Sequence, residues 1–431
     1  MSILNRVIRN TVNAQSLLPL KQKVGKRLRE TYYNAEVLLR IQDKVRPLNL
    51  DQHAGEPARI NLIIPEIDFR SFYGGYIAKF NLARRLTEQG EKVRFVIVDP
   101  CEIQPGRWRE EIREYQGLES IFDQVEVAYC FDRKTPLPVS ADDSFIASTW
   151  WSAYIAHEAA QRCGRRRFVY LIQEYEPFTF PLGSYSAMAA ASYEFPHAAV
   201  FSSPFLEEYF NNNKYGVFSL PEYEETRAAS FENAILSFDA EQLRFDVPGG
   251  VRKLLFYARP EAHAARNMFE VAYLALARSI ERGVFDGGEW LFHGIGSSHG
   301  DIPLPGGRKL EMLGKFGLRE YGERLLDYDV GLSLMYTPHP SLLPLEMAAA
   351  GMLVVTNECM NKTRDKLAAI SCNLIGSRPT IEGVGEGLRE AVDEVANETR
   401  RRAGSEVKWA SSWDAAFDDR KIALLRSWLH D

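Results

Sequence analysis

The stretch INLIIPEIDFRSFYGGYIAKFNLARRLTEQGEKVRFVIV, residues 60–98, decides the fold. It opens on Ile60-Asn61-Leu62-Ile63-Ile64, a short apolar run closed by Pro65, which reads as a buried strand. A loop carrying Gly74-Gly75 follows, and a helix is expected from Tyr76 to Gln89, ended by Gly90. A second apolar run, Val93 to Val98, stops at Asp99-Pro100. Parallel strands need a crossover connection, so strand, glycine loop, helix and strand in this order form a parallel βαβ unit.

The same alternation continues along the chain. Strands are expected at 124–129, 144–147, 168–172 and 198–201, with helices at 152–163 and 185–193 between them. A polar, irregular stretch from about Glu222 to Gly250 marks the passage to a second series. Its strands are expected at 253–258, 289–293, 310–313, 330–335 and 353–356, and its helices at 267–282, 319–326, 345–350 and 381–399. The expected fold class is therefore α/β, with two Rossmann-like doubly wound domains facing a central cleft. The parts are a basic helical extension (1–54), a first domain (55–235), a second domain (250–405) and a C-terminal helix (406–431) that packs back on the first domain.

Composition sets the outer limits. The chain has 431 residues, 45% apolar and 26% charged, ordinary for a globular protein and unlike a disordered one. No apolar run is long enough to span a bilayer, and the start lacks the apolar core of a secretory signal. Five cysteines, far apart and without a CxxC pair, argue against a disulfide framework or a cysteine zinc site. These features point to the cytoplasm. Net charge is −6, yet residues 1–50 carry ten Lys/Arg against three Asp/Glu. An acidic body repels nucleic acid, so none is expected as a partner. The basic head suits either packing on the body or peripheral contact with an anionic membrane at the inner face of the cell membrane.

The residues that carry chemistry cluster at strand ends. In the segment 334–351, LMYTPHPSLLPLEMAAAG, a strand gives way to a proline-stiffened loop and then to a helix expected near Pro344. Free amides of Ser341, Leu342 and Leu343 would face the cleft, where a helix N-terminus attracts phosphate. Glu346, one turn in, can accept hydrogen bonds from ribose hydroxyls; its bland role would be to complement the helix dipole. Arg259 follows a strand and Arg266 lies seven residues on, both within reach of a diphosphate. Gly74 and Gly75 would let backbone approach a sugar or its phosphate, if they do not simply make a turn. Glu174 and Glu176 follow a buried strand, where a carboxylate could orient or deprotonate an acceptor hydroxyl or serve structure alone. Asp327-Tyr328-Asp329 has Asp-x-Asp spacing but sits at a strand start, so it reads as structural. The run Arg400-Arg401-Arg402 fits a helix C-terminus, and no histidine spacing suggests zinc.

Together the 338–351 segment, Tyr257-Ala258-Arg259-Pro260 with Arg266-Asn267, Leu313-Gly314-Lys315 and Gln173-Glu174-Tyr175-Glu176-Pro177 resemble the two-domain GT-B glycosyltransferases, and in particular the bacterial WsaF-like rhamnosyltransferase family. The resemblance covers roughly residues 55–415. It implies a retaining, metal-independent transferase that moves rhamnose from dTDP-β-L-rhamnose to a growing surface polysaccharide of O-antigen or S-layer type, on a glycan or lipid-linked glycan acceptor. The nucleotide sugar is a substrate, and no separate cofactor is implied. Lys315 would lie by the nucleotide base or a phosphate. Wider relatives carry two glutamates eight positions apart on the donor loop; Glu346 matches the second, but Pro338 stands at the first. His339 beside it would then touch the sugar. A sugar-nucleotide epimerase and a catalytically silent nucleotide-sugar binder remain as alternatives on the same scaffold.

Overall fold

The computed structural model describes residues 41–69, 72–219, 227–245, 250–314 and 316–431. In the first domain the strands are β1 (Leu50–Gln52), β2 (Ile60–Ile64), β3 (Val93–Ile97), β4 (Glu126–Tyr129), β5 (Leu137–Val139), β6 (Ser144–Ala147), β7 (Phe168–Ile172), β8 (His197–Phe201) and β9 (Ala228–Ser230). Seven of them form a sheet in the order β4-β3-β2-β6-β7-β8-β9, parallel throughout, while β1 and β5 pair separately. Strand β2 is buried on both faces, which is why it reads as a continuous apolar run. Ile60, Leu62 and Ile64 pack with Phe80, Leu82 and Leu86 of the helix Gly74–Glu88; Ile63 packs on the other side with Phe145 and Ile155. The exception, Asn61, is fully satisfied: it donates to Asp143 at 2.9 Å and accepts from Arg94 at 2.8 Å.

The second domain contributes β10 (Val251–Tyr257), β11 (Glu289–Ile295), β12 (Ile302–Pro303), β13 (Lys309–Met312), β14 (Val330–Leu332), β15 (Leu353–Asn357) and β16 (Leu374–Ser377). Their order is β12-β13-β11-β10-β14-β15-β16, and only the β12–β13 pair is antiparallel. The strand order reverses at β2/β6 in the first sheet and at β10/β14 in the second. Such switch points open a crevice at the carboxyl ends of the strands.

The chain crosses between the domains twice. Phe231 still belongs to the first core, whereas Ile235 belongs to the second. Residues 407–412 return alongside: Ile235 N–H donates to the Ala410 carbonyl at 3.0 Å, and the Trp409 indole donates to the Asn233 carbonyl at 2.9 Å. The helix Asp419–Leu429 then buries Ile422, Leu425 and Trp428 in the first-domain core. Arg85 on the helix Gly74–Glu88 donates to the Phe417 carbonyl at 3.0 Å and pairs with Asp419 at 2.8 Å.

Several expected boundaries move. Most of the basic extension lies outside the described residues, but its last part does not: Leu48 and Leu50 are buried in the first-domain core, and Leu50–Gln52 is a strand rather than a helix. The polar passage is shorter than expected, because Ala228–Ser230 completes the first sheet as its edge strand. Arg401 is no solvated helix end. It is 1% exposed inside the helix Glu398–Ser405 and pairs with Asp329 at 3.0 Å, which fixes Asp329 as a structural carboxylate.

Candidate active site

The two switch points bring two helix N-termini together. The helix Gly74–Glu88 begins at Gly74 itself, so both glycines form its first turn instead of a loop before it. The helix Leu342–Ala349 begins two residues before Pro344, with Ser341 as its N-cap and no side-chain cap bond. A β-carbon added at Gly74 would lie 3.1 Å from Leu342 Cδ1, so the two ends all but touch across the domains. At Gly75 an added β-carbon would come within 2.7 Å of Gln173 Oε1, and Gln173 donates to the Gly75 carbonyl at 2.9 Å. A larger residue at position 75 would have to displace the Gln173 amide from the loop after β7. Two facing N-termini concentrate unpaired amides and positive potential in one place.

Arg259 and Arg266 follow β10 on the second-domain side. Arg259 is held by three neighbours: Glu261 at 3.0 Å, the Tyr257 hydroxyl at 3.2 Å and His263 at 3.0 Å. Gly296, with φ of 99°, makes room for it; a β-carbon there would lie 2.9 Å from Arg259 Cδ. Arg266 projects toward the first domain, where its Nη1 donates to Glu174 Oε2 at 3.3 Å.

Glu174 therefore does not stand free on the acceptor side. It is 8% exposed, and its carboxylate accepts from Thr337 Oγ1 at 2.8 Å and lies 3.4 Å from His339 Nε2. Burial alone would raise its carboxyl; His339, then Arg266 and Thr337, outweigh burial and bring it down to about 2. A carboxylate so firmly ionised is a poor proton acceptor, which of the roles open from the sequence favours orienting or structural work over that of a base. Glu176, two residues on, has the opposite character. Burial pushes it up to about 7, against the Trp150 amide, which donates to it, and the Lys79 ammonium. A group poised there suits proton transfer at neutral pH.

Glu346 lies one turn into the helix Leu342–Ala349. Its oxygens accept from the Tyr321 hydroxyl at 2.8 Å and the Leu236 amide at 3.3 Å. Burial lifts its carboxyl to about 7. Each oxygen keeps a further lone pair for a ligand hydroxyl. Lys315 falls outside the described residues.

The sequence reading passed over several groups. Lys79 is buried and its ammonium lies 4.4 Å from the Tyr76 ring centre; burial lowers it to about 8. Lys362 is also buried, donates to the Met335 carbonyl at 2.9 Å, and is likewise lowered to about 8 by burial. Thr337 and Tyr321 orient the two glutamates. Only the tertiary fold assembles these groups; Lys79, for one, looks like any charged position of an amphipathic helix. Trp150 is 1% exposed and packs edge-on against Trp151, so it is core, not a stacking face. Among the described residues no cluster of three or more His, Cys, Asp or Glu could hold a metal ion, and no helix is long and apolar enough to cross a membrane.

This geometry has known counterparts. Residues 59–203 match the family described as WsaF, N-terminal domain, and residues 252–389 match WsaF, C-terminal domain. The chain belongs to the WsaF family. It is 32% identical over 366 residues to the O-antigen biosynthesis protein RfbC of Myxococcus xanthus. That match takes in 84% of the chain but 27% of the relative, so the chain spans about a quarter of the length of the curated relative it matches. Among solved structures it shares its fold with Anabaena HepE in complex with UDP and glucose (TM-score 0.54, 11% identity, 86% of this chain and 98% of that one). Sucrose-phosphate synthase of Thermosynechococcus elongatus is similar to the same degree (TM-score 0.53, 13% identity, 87% and 98%). The WsaF family and its GT-B scaffold thus agree with the two facing Rossmann-like domains.

Proposed function

We propose that the protein is a retaining rhamnosyltransferase that moves L-rhamnose from dTDP-β-L-rhamnose to a growing surface polysaccharide. The observation that carries this reading is the meeting of the helix Leu342–Ala349, at its N-terminus, with Gly74 of the opposite domain, flanked by Arg259 and Arg266. Breaking a glycosyl–phosphate bond builds negative charge on the leaving diphosphate, and preorganised cations and amides lower that barrier. Glu346 holds the nucleotide sugar ring. Its remaining lone pairs suit one or two hydroxyls, so the single 3′-hydroxyl of a deoxyribose is accommodated as well as a ribose diol. His339 stands in for the glutamate that Pro338 replaces on the donor loop. Glu176 takes the acceptor proton. The family and the printed name of the Myxococcus relative, an O-antigen biosynthesis protein, support a glycan acceptor. The positive charge of the arginines and helix ends does the work of a metal, and peripheral contact of the basic head with an anionic cytoplasmic membrane surface would bring the enzyme to a lipid-linked acceptor.

The experiment is calorimetric titration with dTDP-, UDP- and GDP-sugars, followed by a nucleotide-release assay with and without candidate glycans. Release of dTDP only when a glycan is present supports the reading. Tight binding of UDP- or GDP-sugars in preference to dTDP-rhamnose, or epimerised sugar nucleotide formed without a glycan, would overturn it.

A further inference from the structure

Glu174 carries a first-domain charge into the second domain's donor loop. Its carboxylate accepts from Thr337 at 2.8 Å and Arg266 at 3.3 Å, stands 3.4 Å from His339, and its own loop turns the Tyr175 amide onto it at 3.0 Å. The buried Lys362 ammonium adds to the same positive field. The cations that surround this carboxylate are those suited to a diphosphate, and a carboxylate and a phosphate are both acceptors for the same guanidinium fork. A single Arg266 side chain cannot bind both without sharing. The domains need not part when it is shared, because a second tie lies elsewhere: Lys366 bonds both oxygens of Glu208 at 2.6 Å, and Asn361 donates to the Phe205 carbonyl at 2.8 Å.

The geometry points to Glu174 as an internal placeholder for the donor: its carboxylate occupies Arg266 until the nucleotide diphosphate takes that guanidinium over. The inference rests on the donor reading above and goes beyond it, because it makes arrival of the donor the event that frees a first-domain carboxylate. Before exchange Glu174 is locked to the second domain. After exchange it keeps Thr337 but loses the Arg266 guanidinium, so its basicity rises beside the acceptor side of the cleft. Glu174 is here a positioning residue, acting through Arg266.

The test is a double-mutant cycle on Glu174 and Arg266, read by calorimetric binding of dTDP and UDP to the full chain. Placeholder and ligand compete, so removing the placeholder removes a fractional-occupancy penalty, and Glu174→Gln should tighten diphosphate binding by about three- to tenfold. Arg266→Gln should weaken it. In the Arg266→Gln background the gain from Glu174→Gln should vanish, because the contested guanidinium is gone. Circular dichroism and retention of Lys366–Glu208 coupling report folding, and Thr337→Val offers a second route, since it loosens the placeholder without changing charge and should also tighten binding. Unchanged or weaker binding by Glu174→Gln, or an equal gain with and without Arg266, overturns the placeholder. Failure of the parent protein to bind either nucleotide would instead overturn the donor reading itself.

Discussion

Replacing Glu346 by Gln should remove the part of the donor site's pH dependence that this carboxyl contributes. Glu346 accepts from the Tyr321 hydroxyl at 2.8 Å and the Leu236 amide at 3.3 Å. Glutamine can keep both contacts, its carbonyl toward the amide and its NH2 toward the phenol oxygen, so the fold should hold. What it loses is charge. Burial lifts the Glu346 carboxyl to about 7. The sign follows: the ionised form binds sugar hydroxyls more strongly, it prevails above pH 7, and it is lost as pH falls through 7. One pH unit below that point only about a tenth of the sites are ionised, so nucleotide affinity at pH 6 should be roughly tenfold weaker than at pH 8. A charged hydrogen bond contributes about 1.5–3 kcal/mol, so Glu346→Gln at pH 8 should bind about 10- to 150-fold less tightly. Isothermal titration of dTDP and UDP into both proteins at pH 6, 7 and 8 measures this. The two proteins differ at one side chain, so the difference between them at each pH isolates position 346. A variant that binds as tightly as the parent at pH 8, or the same pH slope in both, would refute the assignment of Glu346 to the nucleotide.

Three other outcomes are expected. Arg259→Ala should lower turnover by about 10²–10³ with a smaller effect on affinity, as for a donor that meets developing charge, and Arg259→Lys should recover only part because the fork is lost; steady-state kinetics separates the two effects. Asp329→Ala should destabilise the second domain by about 3–5 kcal/mol in urea unfolding, because it strands the buried Arg401 guanidinium. Nucleotide release should continue in excess EDTA; full loss that magnesium or manganese restores would show a metal requirement.

The strands of both sheets are legible in sequence where burial on two faces writes an unbroken apolar run, as in Ile60–Ile64, Phe168–Ile172 and Leu353–Asn357. Strand Leu374–Ser377 escapes because Gly376 interrupts it. Its glycine is a packing need: a β-carbon there would sit 2.8 Å from the Arg364 backbone. Strand Ala228–Ser230 escapes because three small residues carry no pattern of their own and pair only by position next to β8. The helix Pro204–Asn213 went unread although Ser203 caps it at the Leu206 amide and Pro204 opens it, a local signal that was present. In the site, Arg259, Arg266 and Glu346 could be named because each follows a strand or opens a helix. The environment of Glu174 could not. Its partners Arg266, Thr337 and His339 lie 92, 163 and 165 residues away in sequence, and a carboxylate's proton affinity is set by such neighbours, not by its own segment.

The paired crossings at 231–236 and 407–412 have a mechanical consequence. A single linker lets two domains swivel about it in any direction. Here two segments run side by side and are bonded to each other through Ile235–Ala410 and Trp409–Asn233, so they act as a ribbon. A ribbon bends easily across its flat face and resists both shear and torsion. A movement of one domain against the other would then be guided about one axis, much as a door on two hinges keeps its latch aligned with the strike plate. Any closure about that axis would bring Glu174 back opposite Arg266.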